Sequence, residues 1–553
     1  MNSIVFSTVL LSLLATVAFA QVIVQLPNGK IRGRDQGLYY TYESVPYAEP
    51  PLGELRFEPP QPYKRVWTEV FDATRPSVIC AQWSQFILQP YKKTGSEDCL
   101  TVSIFKPKNE SRESFPVIAN IFGGAFSFGG SVEDGALPLM ASGNVIVVKI
   151  NHRVGPLGFI STGDAEFPGN AGLKDQRMAL RWIKENIVHF GGQPDNILFL
   201  GFSSGGASVH LQLMSKELEK LVKVAVSISA NAMDPWAIRE SGRREAFELG
   251  RYVGCGLQTS TKELKKCLKT KDGLEIAAAM GKFLVFNYVP FAPFGPVIEP
   301  SDSVDPFLTE HPIDIVSAGK SAQIPWLVTY TPEDGVYNAA LGLLRQPNGE
   351  EMINQLNRRW FELAPYFFFY RHKHITVKEM DDLSRKLRQE YMGNQSFSVD
   401  SYFHFQRMVT DMMLKNGTEA SLRMHKLFSK SPVYSYIYDN PADQSFGQIL
   451  SNRRDILVGT GHGDDYFLMM NNPIREPLRA DEKVISWKLV KMLERFVETE
   501  KLVYDNCEFR NNVGQDQFQL VVIQRNDCHL IEVNDLPATV SDHIPNKPVI
   551  YFG

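Results

Sequence analysis

The sequence predicts an α/β protein with a large, mostly parallel central sheet and helices on both faces. Three observations predict it. Nearly continuous apolar runs of strand length alternate with helical periodicity, first over 116–228 and again after 325. Strands of that kind are buried on both sides and belong to parallel sheets. Second, Gly201-Phe202-Ser203-Ser204-Gly205 stands where one such strand should turn into a helix, the setting of a strand–turn–helix elbow that lifts a Ser hydroxyl clear of the backbone. Third, 553 residues with 44% hydrophobic content suffice for a large core, and length alone suggests more than one domain.

The elements come in this order. A short strand is read at 22–26, before a Pro-rich stretch over 46–62. Buried strands are read at 116–122 and 144–150. An amphipathic helix is read over 177–188, with Ala179, Leu180, Trp182, Ile183 and Ile187 near helical spacing. Ile197-Leu198-Phe199-Leu200 is the strand that enters the elbow, and 207–214 the helix that leaves it. Further strands are read at 222–228, 325–330 and 433–438, and a late amphipathic helix over 483–499. Helical patterns dominate 230–430, which reads as an insertion over the sheet. Neither a repeat nor a low-complexity linker divides the chain.

A formal net charge of −4 without long single-sign runs gives no electrostatic footprint for nucleic acid or an anionic membrane. Residues 4–19 are apolar and uncharged and end in Ala18-Phe19-Ala20, a small-x-small pattern before Gln21. The stretch is short for a membrane-spanning helix, which needs about 20 apolar residues. It reads as a signal peptide over 1–20, although the usual Lys or Arg before the apolar core is missing. No second hydrophobic span follows, so the mature chain is expected to be exported without a membrane span. The 6 cysteines fall into neighbouring pairs, Cys80/Cys99, Cys255/Cys267 and Cys507/Cys528; six cysteines allow 15 pairings, so neighbour pairing stays open on spacing alone. Asn109, Asn394 and Asn416 begin glycan acceptor triplets.

A Ser hydroxyl needs a base to take its proton, and the base needs a third group to fix its tautomer. In an elbow fold the chain order is Ser, acid, His. Downstream of Ser203, His462 lies in the Gly-rich run Gly459-Thr460-Gly461-His462-Gly463. His210 points away along the helix and reads as packing, and His152 precedes the Ser. The strand at 325–330 is followed by Thr331-Pro332-Glu333-Asp334-Gly335, where either Glu333 or Asp334 would serve as the acid. An oxyanion needs preorganised N–H donors. Ser204, directly after the nucleophile, and the loop Phe122-Gly123-Gly124-Ala125-Phe126, after an early strand, are the candidates.

Long runs then carry a resemblance. Gly29-Lys30-Ile31-Arg32-Gly33, the stretch 45–57 (VPYAEPPLGELRF), Ser96-Glu97-Asp98-Cys99-Leu100, the stretch 151–159 (NHRVGPLGF) and the stretch 169–176 (GNAGLKDQ) match the signatures of type-B carboxylesterases and cholinesterases. The chain resembles that family over nearly its whole length, most of all insect secreted β-esterases. The resemblance implies one α/β-hydrolase domain over 21–553, with helical insertions forming a gorge. It implies Ser203 as nucleophile, His462 as base, and Asp334 as acid where the family usually has Glu, with Glu333 as the fallback. It implies Gly124, Ala125 and Ser204 as oxyanion donors, and disulfides Cys80–Cys99 and Cys255–Cys267. Cys507–Cys528 rests only on proximity and parity. No metal or other cofactor is implied, the partner is a small-molecule ester, and oligomeric state is open.

Two departures bear on substrate. The family's elbow usually reads G-E-S-A-G, and here Phe202 replaces the acid and Ser204 the Ala. The loop between Cys80 and Cys99 has no Trp at the choline-binding position, since Trp83 sits too close to Cys80, so cation–π capture of a quaternary ammonium is unsupported. The expectation is a secreted serine carboxylesterase acting on neutral esters. The alternatives are an inactive adhesion relative, which usually loses the Ser or His, or a narrower lipase, hormone esterase or cholinesterase.

Overall fold

The apolar runs pair into one 13-stranded sheet. The computed structural model describes residues 22–534 apart from 84–92, 372, 374, 443, 454, 457, 473, 474, 476, 525 and 526. The expected signal peptide lies outside the described residues. The strands are β1 (Val22–Leu26), β2 (Gly29–Asp35), β3 (Tyr39–Pro46), β4 (Thr101–Pro107), β5 (Phe115–Ile121), β6 (Ile146–Ile150), β7 (Gly192–Phe202), β8 (Val224–Ile228), β9 (Trp326–Tyr330), β10 (Val433–Tyr438), β11 (Phe518–Gln524) and β12 (Asp527–Val533). Phe71–Asp72 adds a short strand beside β2. The order is β1-β2-β3-β4-β6-β5-β7-β8-β9-β10-β11-β12. Pairing is parallel from β6 through β11 and antiparallel at both ends of the sheet. Every residue of β5, β6, β8, β9 and β10 is buried, so both faces of the sheet are covered.

Four helices pack around the part of the sheet that matters for function: α1 (Ala171–Asn186), α2 (Ser204–Leu213), α3 (Asn416–Phe428) and α4 (Ala480–Thr499). α1 begins 6 residues before the predicted 177. Its first turns are polar yet buried: Asp175 takes the Arg153 guanidinium at 2.6 Å, and Lys174 pairs with Glu299 at 2.7 Å. Buried charges of this kind persist only when paired, and they hide a helix from any apolar criterion. The helical region over 230–430 is as expected, with β9 threaded through it. The hairpin β11–β12 is unanticipated, and it carries Cys528. Disulfides join Cys80–Cys99, Cys255–Cys267 and Cys507–Cys528, with Cα atoms 5.0, 5.9 and 6.1 Å apart. On the chain-entropy argument each such loop stabilises by about 3 kcal/mol.

His210 is packing, as its position on α2 suggests. Its Nδ1 accepts the Ala232 N–H at 3.1 Å, so Nε2 carries the proton toward His425 Nε2 on α3, 2.9 Å away. Its ring stacks on Trp326. Burial holds both imidazoles below the usual histidine range, His425 at about 4. A folded pKa below the unfolded one means that the unfolded chain binds more protons as pH falls. The pair's contribution is therefore intact above about pH 6.5 and declines from there toward about 4. His425→Asn can still accept from His210. The stability gap between wild type and this variant should narrow by about 2 kcal/mol between pH 7.5 and 5, measured by urea unfolding. A gap that does not move with pH would show that His425 is not held neutral.

Candidate active site

The elbow forms because β7 ends at Phe202 in register with Ile228 of β8, and the Ser203 N–H donates to the Ile228 carbonyl at 2.8 Å. Ser203 then adopts φ 57°, ψ −126° before α2 starts at Ser204. That backbone region is unfavourable for a residue with a side chain and costs about 1–3 kcal/mol. The flanking glycines make it feasible: a Cβ on Gly201 would lie 2.1 Å from the Gly205 carbonyl oxygen, and one on Gly205 would lie 2.4 Å from that of Ile121. Ser203 thus stands at the N-terminus of a 10-residue helix, where developing negative charge is favoured.

The other two members come from loops at the same end of the sheet. Asp334 follows β9. It is fully buried, and its Oδ2 accepts the Thr331 N–H at 3.1 Å. Its Oδ1 lies 2.6 Å from His462 Nδ1, and His462 Nε2 lies 2.9 Å from Ser203 Oγ. A carboxylate can only accept, so Nδ1 carries the proton and Nε2 is left to accept from the Ser hydroxyl. Glu333 faces away from the imidazole: its Oε2 accepts the Thr460 N–H at 2.9 Å, and its own N–H donates to the Thr460 carbonyl. It ties down the loop that carries His462.

That loop has further support which sequence reasoning passed over. Asp464 accepts the Gly461 N–H at 2.8 Å. Asp465 accepts the Tyr436 hydroxyl at 2.7 Å and the Tyr466 N–H at 2.8 Å. Burial pushes these carboxyls up to about 7 and about 6. Two adjacent acids one residue beyond a His in a Gly-rich run, Asp464 and Asp465 after His462-Gly463, were the available signal.

The loop after β5 runs against the elbow. Gly124 has φ 129°, and a Cβ there would meet the Phe128 carbonyl oxygen at 2.1 Å; Ala125 and Phe126 follow with φ 56° and 57°. The Gly124 carbonyl accepts from Ser127 and Phe128, which folds the loop tightly. Gly124 and Ser203 line one cavity, of about 220 Å³, while Ala125, Ser203 and His462 border a second, of about 20 Å³. Ser204, as the first residue of α2, has an N–H without an intrahelical acceptor.

The larger cavity is walled by Phe122, Phe128, Phe202, Tyr337, Phe446 and Phe467. Phe202 stacks on Tyr466 with centroids 4.7 Å apart and tilts against His462 at 4.8 Å. Tyr466 in turn donates to Asp134 at 3.0 Å. The smaller cavity is bounded by Trp236, Phe291 and Met413 among others. His152 is no base here: it is buried, stacks on Phe122, and is held down to about 4 by burial. Of the sequons, Asn394 and Ser396 are both exposed. Asn416 is exposed but Thr418 is buried, and the Asn109 amide donates to the Gly143 carbonyl at 3.0 Å.

Residues 20–546 match the sequence profile of the carboxylesterase family. Esterase-5B of Drosophila miranda is 56% identical over 520 residues, covering 93% of this chain and 95% of that protein. Esterase S of Drosophila virilis is 55% identical over 534 residues, covering 96% and 98%. Among solved structures, juvenile hormone esterase from Manduca sexta superposes with a TM-score of 0.78 at 23% identity, covering 93% of this chain and 97% of that one. At that identity the likeness carries the α/β fold.

Proposed function

The chain belongs to the carboxylesterase family and is a carboxylic-ester hydrolase, and from that premise we propose that it works through an acyl-enzyme on Ser203. The observation that carries this is the relay Asp334–His462–Ser203, at 2.6 and 2.9 Å, opening on an aromatic cavity. Ser203 Oγ attacks the ester carbonyl carbon while its proton passes to His462 Nε2. Asp334 holds the resulting imidazolium in orientation. The carbonyl oxygen becomes an oxyanion received by the N–H groups of Gly124, Ala125 and Ser204. The intermediate collapses, the C–O bond to the alcohol breaks, and His462 returns the proton to the leaving oxygen. Water then attacks the acyl-enzyme along the same path, releasing the carboxylate and restoring the Ser hydroxyl.

Neutral esters suit the cavity, whose walls are mainly aromatic and in which Phe202 stands where a family member usually carries an acid. We further infer that the protein is secreted, as one α/β-hydrolase domain after a cleaved signal over 1–20. The three disulfides favour an oxidising compartment, and among the described residues no helix is long and apolar enough to cross a membrane. Asn394 is the sequon best presented for a glycan. Organophosphate labelling with peptide mapping tests the mechanism. One adduct per chain is expected, on Ser203, with parallel loss of p-nitrophenyl ester hydrolysis. An adduct on any other residue would overturn the assignment, and a clear preference for choline over p-nitrophenyl esters would overturn the substrate class.

A further inference from the structure

The larger cavity is not wholly apolar. Glu133 and Asn472 reach it beside the rings of Phe128, Phe202, Phe446 and Phe467, and among the described residues no Lys or Arg lines it. Asp134 also borders it, but that carboxyl is engaged within the fold, accepting the Tyr466 hydroxyl at 3.0 Å while its backbone carbonyl takes the Lys149 ammonium. Glu133 differs. Its backbone is fixed by a 3.1 Å bond to the Gly130 carbonyl, and its side chain is accessible. Enclosure by protein, with the Asp134 charge adding to it, nevertheless raises its carboxyl to about 7. Glu133 is thus an exposed residue that lines the cavity, with no Lys or Arg on that wall among the described residues.

A carboxylate beside aromatic walls that offer it no donor gains from a hydrogen-bond donor that a bound substrate brings. It repels a second carboxylate. The acid missing from position 202 is thus supplied to the same cavity from another loop. We propose that Glu133 is a specificity-determining residue of this esterase, selecting esters whose portion in the larger cavity ends in a hydroxyl and excluding those that end in a carboxylate. This rests on Ser203-centred ester hydrolysis.

The test compares matched esters that differ only at the far end. On the alcohol side these are pentyl acetate and the monoacetate of butane-1,4-diol. On the acyl side they are the p-nitrophenyl esters of heptanoic and ω-hydroxyhexanoic acids. Ratios of kcat/KM within a pair cancel any general loss of activity. The wild-type enzyme at pH 8 is expected to favour the hydroxyl member in one of the two series. Glu133→Leu should shift that ratio toward the alkyl member by about 10- to 100-fold. Glu133→Gln, which keeps the shape and an acceptor, should shift it less and raise kcat/KM for an ω-carboxylate ester by about 10-fold. If Leu fails to fold, the Gln variant and its carboxylate arm decide. No hydroxyl preference in either wild-type series, or ratios that stay put in the variants, would overturn the proposal while leaving the ester mechanism standing. Failure of wild type to turn over any of these esters would instead count against that mechanism.

Discussion

Ser203→Ala should lower kcat for p-nitrophenyl esters by roughly a million-fold, the scale seen when a triad nucleophile is removed from a serine hydrolase. The alanine leaves the elbow, both cavities and the His462–Asp334 pair in place, so folding and substrate binding should survive. What disappears is the hydroxyl 2.9 Å from His462 Nε2, and with it the covalent intermediate. A residual rate above the uncatalysed one is expected, because the oxyanion donors still act on water attack. Adding His462→Ala should cost little more, since the two side chains act as one unit. Stopped-flow and steady-state hydrolysis of one ester measure both. A loss of only tenfold would place the nucleophile elsewhere.

The second large effect separates two neighbours. Asp334→Asn should lower kcat by about ten-thousand-fold, because an amide can donate to Nδ1 and so favours the tautomer with the proton on the wrong nitrogen. Glu333→Gln should cost no more than about tenfold. Its Oε2 accepts the Thr460 N–H, and a glutamine carbonyl can do the same. Steady-state kinetics on the two variants, with near-ultraviolet dichroism to establish folding, decide the matter. Reversal of the two magnitudes would move the acid to Glu333, and equal retention of activity would take it out of this loop altogether.

Much of this site was legible in the sequence alone, and the reason is local. Gly201 must be glycine for a steric reason that acts within five residues, and Gly205 because the carbonyls of Ile121 and Phe122 press on it, so a G-x-S-x-G pattern announces the elbow. His462 and the Asp334 turn were findable because chain order in an elbow fold is constrained. What sequence could not decide was which of two adjacent acids faces the imidazole. That depends on the bridge between Glu333 and Gly461, a pairing across 128 residues. The early turns of α1 were hidden by buried ion pairs with Arg153 and Glu299, whose burial only the tertiary fold supplies. The hairpin of β11 and β12 went unread because its second strand mixes Asp, His and Glu with apolar residues at the edge of the sheet. Nothing in the sequence marks Glu133, because its place on the cavity wall follows from the path of the whole loop after β5.

The strained backbone at Ser203 has a consequence for how such a chain can change. A glycine there would relieve the unfavourable φ and ψ and favour the folded state, yet it would remove the hydroxyl that the proposed acyl-enzyme needs. Thermal persistence and activity therefore pull this one position in opposite directions. Selection for robustness alone would drift toward glycine and a silent protein, whereas a lineage that keeps its chemistry must find its stability elsewhere, in the sheet and the disulfides around the elbow.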